Sequence, residues 1–121
     1  MLLADDHQAV LDNVSFQLAG EFDVVAKLLD GQAALDAALA LKPDAVVLDI
    51  SMPRMSGLET ARRLSELPNP PCIVFLTVHE DQDFIDAAES AGASGSVIKR
   101  HMSRDLVVAL RRALRLPAPT S

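Results

Sequence analysis

Five polar residues with complementary chemistry each stand at the end of a short apolar run. Asp5 and Asp6 end the first such run, Asp49 the third, Thr77 the fourth and Lys99 the fifth. Three carboxylates within a few ångströms of one another repel unless some are protonated or a cation neutralises them. Carboxylate oxygens suit Mg2+ or Mn2+ better than zinc. A hard divalent ion would bind phosphate oxygens there, with Lys99 and Thr77 placed to take the others, and a neighbouring aspartate could form an acyl phosphate.

Each of these residues alone also has an ordinary structural interpretation. Asp is common where a strand turns into a loop, and a lysine near acids can be a plain salt bridge. The chain, however, carries an acid pair, a single acid, a hydroxyl and a lysine at the ends of four runs, in that order. This joint occurrence favours one shared site over separate turn residues.

The elements that would position this set are short buried strands alternating with helices. The apolar runs are too short for helices and rich in Val, Ile or Leu, which indicates strands at Leu2–Ala4, Phe22–Ala26, Ala45–Leu48, Cys72–Leu76 and Ser96–Ile98. The segments between them have apolar residues at helical spacing. Five strand-helix units predict an α/β fold with a doubly wound, five-stranded parallel sheet. In the order 2-1-3-4-5 the first and third strands are neighbours, and ligands bind outside the carboxyl ends of the strands.

Residues suited to helix ends mark the boundaries of the five helices. They are Gly20 after the first, Asp30 before the second, Ser56 with Glu59 before the third, Gly92 after the fourth and Ser103 before the fifth.

The composition bounds the class of protein. The chain has 121 residues, which favours a single domain, residues 1–116, followed by a Pro-rich linker or tail, residues 117–121. Half of the residues are apolar, the net charge is −6, and Trp and Tyr are absent, which argues against disorder and direct nucleic-acid binding. The basic cluster of Arg111, Arg112 and Arg115 fits the last turn of a helix.

The remaining features predict a soluble, cytoplasmic domain with no membrane partner. Cys72 is the single cysteine, so an internal disulfide is excluded and a reducing compartment fits. The first residues show no signal-peptide pattern, since Asp5 and Asp6 interrupt the apolar start. No apolar run approaches the ~18 residues of a membrane span.

Four stretches of the chain closely resemble the receiver domain of two-component response regulators. They are Leu3-Ala4-Asp5-Asp6-His7, the run from Val47 to Glu59 with its Met52-Pro53 turn, Leu76-Thr77, and the run from Gly92 to Lys99. The Asp-Asp-His start and the Gly-Leu-Glu after the Met-Pro turn look most like the subfamily with a LuxR-type helix-turn-helix output domain. The resemblance covers nearly the whole chain and implies a flavodoxin-like fold and a phosphorylation-dependent signalling switch.

The resemblance also implies a role for each site residue. Asp49 is the phosphoacceptor, and a sensor histidine kinase supplies the phosphoryl group. Thr77 is the switch hydroxyl, and Lys99 is the ion-pair partner of Asp49 or its phosphate. The implied Mg2+ ligands are Asp5, Asp6, Asp49 and the backbone carbonyl of Ser51, with Asp6 more direct than Asp5. The implied protein is a switch and not an enzyme. Its phosphorylated form favours dimerisation or effector contact, and its output is transcription through a DNA-binding domain that this chain lacks.

Ser96 departs from the family pattern, because most receivers have Tyr, Phe or His three residues before the lysine. This departure predicts a weaker switch, or one carried by backbone movement alone. It leaves a second hypothesis, a pseudo-receiver that only binds partners. A third is a phosphohydrolase with an aspartyl nucleophile, which usually needs a second Asp as general acid where this chain has Ser51.

Overall fold

Strands and helices alternate along the computed structural model, which describes residues 1–78 and 82–115. The strands are β1 Leu2–Ala4, β2 Ala26–Leu28, β3 Ala45–Asp49, β4 Cys72–Thr77 and β5 Gly95–Ile98. The helices are α1 Gln8–Leu18, α2 Gly31–Leu41, α3 Gly57–Ser65, α4 Gln82–Ser90 and α5 Met102–Ala113, the last preceded by a 3-10 turn at Lys99–His101. The strand pairs are parallel and the order is 2-1-3-4-5, so the predicted doubly wound sheet is confirmed.

The central strands are buried because helices cover both faces of the sheet. Successive side chains of a strand point to opposite faces. Leu48 and Phe75 therefore pack in the core beneath α2 and α3, whereas Val47 and Leu76 pack in the core beneath α1 and α5. Burial on both faces explains why these strands are continuous apolar runs rather than alternating ones.

The predicted strand at Phe22–Ala26 is wrong, because the chain joins the sheet only at Ala26. The N–H of Phe22 still donates to the Leu18 carbonyl at the end of α1, at 2.8 Å. β1 has only three residues, and its parallel register pairs them with Ala26–Leu28. Phe22 instead packs half-buried against the core beneath α1 and α5. The apolar run thus marks the packing of Phe22 and Val24 against the core but neither full burial nor strand pairing, since Val25 is 55 % exposed.

Three of the predicted helix ends are confirmed. The side chain of Asp30 accepts the Ala33 N–H at 2.8 Å before α2, and the Ser56 hydroxyl accepts the Glu59 N–H at 3.2 Å before α3. Gly92 follows α4 with φ of 98°, a left-handed conformation that favours glycine.

Two of the predicted helix ends are wrong. Gly20 does not adopt a left-handed cap, because α1 ends at Leu18 with Ala19 in a right-handed conformation. Ser103 does not precede α5 but lies in its first turn, because the 3-10 turn already winds the chain and His101 takes the N-cap position.

The structure describes only two residues beyond α5. Arg111 and Arg112 occupy the last turn of α5, as predicted, and Arg111 pairs with Glu21 at 2.6 Å. The prediction is wrong for Arg115, which lies beyond the helix with φ of 57°. Residues 116–121, with the predicted linker at 117–121, lie outside the described residues, so the division after residue 116 stays a prediction. In the part of the chain that the structure describes, no helix has the length and apolar character to cross a bilayer.

Candidate functional site

The carboxyl ends of β1 and β3 bring the acidic residues together. Ala4 pairs in register with Leu48, so Asp5 leaves β1 beside Asp49 at the end of β3. One ligand atom from each of Asp5, Asp6, His7 and Asp49 lies within 4.8 Å of the others. We call the carboxylates of Asp5, Asp6 and Asp49 the acidic rim.

Asp5 is 1 % exposed; its Oδ1 accepts a hydrogen bond, whereas its Oδ2 has an ion-pair contact but no hydrogen bond among the described residues. Its Oδ1 accepts the backbone N–H of His7 at 2.9 Å, and its Oδ2 lies 2.8 Å from the Lys99 Nζ. The side chain of Asp6 is 34 % exposed, which makes it the more accessible member of the acid pair.

His7 lies beside the acidic rim and is absent from the site residues predicted from the sequence. Its Nδ1 lies 3.2 Å from Asp5 Oδ1 and 3.0 Å from Asp6 Oδ1, whereas its side chain makes no capping hydrogen bond to α1. The signal in the sequence was its position directly after the acid pair.

Lys99 is shared between two carboxylates of the rim. Its Nζ lies 2.8 Å from Asp5 Oδ2 and 3.4 Å from Asp49 Oδ1, so the shorter ion pair is with Asp5. Burial lowers the pKa of the Lys99 ammonium, but the carboxylates of Asp5 and Asp49 outweigh it and leave this pKa raised. Lys99 is therefore a charged, held cation at the rim.

The Asp49 carboxyl has a raised pKa, in contrast to an ordinary surface acid. Burial is the main cause and the negative charge of Asp5 the next, and together they outweigh the opposing effect of Lys99. The side chain is 10 % exposed, so it keeps an opening to solvent. The ionised Asp49 carboxylate is therefore stabilised when a positive charge binds beside it.

Thr77 and Lys99 come from the two strands beyond β3. Thr77 is 4 % exposed and is the last residue of β4, one residue further than predicted. It pairs in register with Ile98, the residue directly before Lys99. The parallel ladder thus places the hydroxyl-bearing residue and the lysine at the same edge of the sheet as the rim.

The loop after β3 carries Ser51, the residue whose carbonyl is the remaining predicted ligand. Ser51 is exposed, and the loop is closed by a hydrogen bond of 2.7 Å from the Gly57 N–H to the Ile50 carbonyl. A Cβ at Gly57 would overlap the Asp49 carbonyl oxygen. Glycine at this position therefore allows α3 to start against the backbone of Asp49.

Ser96 is exposed on β5, at the level of Phe75. It borders a cavity of about 330 Å³ together with Ile85 of α4 and Glu89 of the same helix. The small side chain leaves this space open on the outer side of β5.

The fold and the rim together define a doubly wound α/β domain with an oxygen-rich, cation-attracting site at its topological switch point. The profile of the response regulator receiver domain matches residues 1–111, and the chain belongs to this family. The resemblance inferred from the sequence is thus confirmed. Receiver domains are signalling domains of two-component systems, and the solved structures similar to this chain include LuxR-family response regulators.

Individual relatives agree with this assignment. The chain is 36 % identical over 119 residues to the positive alginate biosynthesis regulatory protein of Pseudomonas aeruginosa, covering 95 % of this chain and 47 % of that protein. It is 33 % identical to the nitrate/nitrite response regulator NarL of Escherichia coli, covering 93 % and 53 %. The receiver domain of a response regulator NarL from Mycobacterium tuberculosis superposes with a TM-score of 0.89 at 28 % identity, covering 94 % of both chains.

The chain spans about half the length of the curated relatives it matches. A solved LuxR-family response regulator from Aurantimonas is 30 % identical with a TM-score of 0.84, covering 94 % of this chain and 83 % of that one. The similarity therefore concerns the receiver portion of these regulators.

Proposed function

We propose that this receiver domain is a phosphorylation-dependent switch that accepts a phosphoryl group on Asp49. The single observation that carries the proposal is the buried Asp49 carboxylate beside Lys99 and two further acids. A carboxylate oxygen of Asp49 attacks phosphorus, the new O–P bond forms, and the bond to the leaving group breaks with its electron pair. The donor is the phosphohistidine of a sensor histidine kinase or a small acyl phosphate.

The acidic rim fits a hard divalent cation, Mg2+ or Mn2+. Its donors are carboxylate oxygens, drawn from Asp5, Asp6 and Asp49, that already lie within 4.8 Å of one another. Such an ion, when bound, neutralises charge on the transferring phosphoryl group. Asp6 is the more direct ligand because it is accessible, whereas both oxygens of Asp5 are engaged by His7 and Lys99. The Ser51 carbonyl supplies a ligand from the loop.

Lys99 and Thr77 act on the phosphoryl group from the other side of Asp49. The ammonium of Lys99 is held 3.4 Å from Asp49 and balances the charge that the phosphoryl oxygens bring. The Thr77 hydroxyl, buried at the end of β4, donates to a phosphoryl oxygen and reports the state of Asp49 to the neighbouring strand. This coupling shifts the population toward a form that dimerises or contacts an effector.

The output that we propose is transcription, through a DNA-binding domain outside this chain. Several relatives are named as transcriptional regulatory proteins, and the chain spans about half their length. The net charge of −6 is unsuited to phosphate contacts, so this domain itself binds no DNA. The half-buried free Cys72 suits a reducing, cytoplasmic location.

The test is phosphorylation of the protein with acetyl phosphate and Mg2+, followed by intact mass spectrometry. We expect a mass increase of one phosphoryl group, which does not occur when the metal is chelated before acetyl phosphate is added. Asp49→Asn should not gain it, whereas Asp12→Asn, which removes the same charge from an exposed position on α1, should label like the wild type. Labelling of Asp49→Asn at another residue would refute the assignment.

The labelling experiment tests the pseudo-receiver hypothesis, and a turnover assay with ordinary phosphate esters tests the phosphohydrolase hypothesis. A pseudo-receiver would bind partners without any labelling of Asp49. The observation that favours this hypothesis is Ser96, which stands where most receivers have an aromatic residue or His. A phosphohydrolase would turn over ordinary phosphate esters many times, which we do not expect because Ser51 replaces the second acid. The protein is accordingly proposed to be a switch that catalyses only its own phosphoryl transfer and slow dephosphorylation.

A further inference from the structure

The N-terminus of α2 contacts the loop after β3 at two points. A Cβ built at Gly31 would overlap the carbonyl oxygen of Met55 and come within 2.6 Å of Thr60 Oγ1. Asp30, the N-cap of α2, places its Oδ2 3.8 Å from the Nε of Arg54. Asp30 and Gly31 therefore both contact the segment that follows Asp49.

Space, and not backbone conformation, requires glycine at position 31. Its φ is not in the left-handed region, so alanine could adopt the same dihedral angles. Alanine is also the better helix former, and at an unobstructed site the substitution would stabilise the helix. Gly31 is buried, and what stands in the way of a methyl group is largely backbone, which cannot swing aside as a side-chain end can.

The contact at Gly31 is transmitted to the rim because the loop has little freedom. The buried hydroxyl of Thr60 donates to the Ser56 carbonyl at 2.8 Å, and this ties the end of the loop to α3. The Ile50 carbonyl accepts the Gly57 N–H, which ties the start of the loop to the same helix. A shift of Met55 must therefore move either the residues between Ser51 and Met55 or α2 itself.

We infer that Gly31 is a positioning residue for the metal site. By admitting Met55 and Thr60 close to its Cα, Gly31 fixes the loop that carries Ser51, whose carbonyl is the proposed ligand, although Gly31 belongs to a different strand-helix unit. The inference rests on the proposed function, since it takes Ser51 and the acidic rim as the ligands. A displaced supporting residue typically lowers metal affinity by about 10–100-fold.

The test compares Mg2+ binding by wild type, Gly31→Ala and Gly20→Ala, followed by amide NMR at a temperature where each protein is folded. Gly20→Ala is the matched control, because a Cβ at Gly20 meets nothing within 4 Å. We expect a Kd at least about tenfold higher for Gly31→Ala and unchanged for Gly20→Ala. In the metal-free proteins, the amide of Ser51 should shift in Gly31→Ala only.

Each other outcome has a defined meaning. A folded Gly31→Ala with the wild-type Kd and an unshifted Ser51 amide overturns the inference, even if its thermal stability falls, because α2 then gives way and the loop does not. If Gly31→Ala does not fold in buffer, the comparison is repeated in sucrose, which favours the folded state. A Kd equal to that of the wild type in the same solution then overturns the inference. If the wild type neither binds Mg2+ nor labels on Asp49, the proposed function itself fails. If the wild type does both, the result for Gly31→Ala tests the role of Gly31 alone.

Discussion

Replacing Asp49 by Asn should make the metal-free domain more stable at neutral pH. The pKa of the Asp49 carboxyl is raised in the folded protein, chiefly by burial and next by Asp5. The folded state therefore holds this proton more tightly than the unfolded chain, and ionisation of Asp49 works against folding. Asparagine keeps the shape of the side chain and removes the charge.

The size of the effect follows from the distances at the rim. The Asp5 carboxylate has an oxygen no more than 4.8 Å from one of Asp49, so it repels Asp49 by at least about 3.5 kcal/mol at an effective dielectric constant of about 20. Lys99 at 3.4 Å attracts Asp49 by about 5 kcal/mol on the same scale. Asp5 and the partly screened Asp6 together offset that attraction, so the cost of burial sets the sign of the net effect. We expect a gain of about 1–2 kcal/mol in the free energy of unfolding.

The pH dependence gives the sign a second test. Below the unfolded pKa of about 3.9, Asp49 is protonated in both states and the substitution has no effect. As pH rises through the raised folded pKa, the penalty on the wild type grows to its full value. Saturating Mg2+ should close the gap, because an ion at 100 times its Kd stabilises the wild type by about 2.7 kcal/mol.

Urea unfolding followed by far-ultraviolet circular dichroism is the appropriate assay, since the chain has no Trp. The control is Asp12→Asn, because the hydrogen bond from Gln8 and the charge of Lys27 lower the pKa of that exposed carboxyl. The control should not gain stability. An Asp49→Asn protein no more stable than wild type at pH 7 in chelator would refute the reasoning.

The remaining predictions use the same unfolding assay. Phe16→Ala should change stability by less than about 0.5 kcal/mol because Phe16 is 85 % exposed, whereas Phe75→Ala should cost about 3–5 kcal/mol because Phe75 is fully buried; equal costs would contradict the packing. Gly92→Ala should cost about 1–3 kcal/mol, since φ of 98° strains any other residue; a neutral result would mean that the turn relaxes. Lys99→Ala should lower the stability of the metal-free domain by about 3 kcal/mol by leaving Asp5 buried without its cation, and Mg2+ should restore part of the loss; no loss would show that the pair is inessential.

The sequence was sufficient for the sheet because burial on both faces leaves a strong apolar signal. It was insufficient at β2, an edge strand of only three residues with intermediate and exposed side chains. There the apolar run at Phe22 marks packing beneath α1, while pairing begins where β1 offers a partner. β3 and β4 also extend one residue further than predicted, to Asp49 and Thr77. The prediction ended each strand at its last apolar residue, whereas backbone hydrogen bonding continues through the polar residue that follows.

The members of the site could be predicted from residue types and order, but their pairing could not. The topology brings the ends of β1 and β3 together, and this juxtaposition follows from strand order alone. The preference of Lys99 for Asp5 over Asp49 rests on a difference of 0.6 Å between two contacts of 2.8 and 3.4 Å, which no pattern encodes. The contact of Gly31 with Met55 is equally hidden, because residues far apart in the chain meet there without any spacing rule.

The charge balance of the rim explains why this arrangement suits a reversible switch. Lys99 compensates one of three carboxylate charges, and the two that remain match the charge of a divalent cation. With Asp5 already held by Lys99 and His7, the exposed Asp6 gives such a cation its entry, and the raised free energy of Asp49 is relieved when positive charge arrives. Under the proposed function, a phosphoryl group would add negative charge at Asp49, and the cation and Lys99 would balance it. The acidity of the rim would then favour binding of the metal first and transfer of the phosphoryl group second.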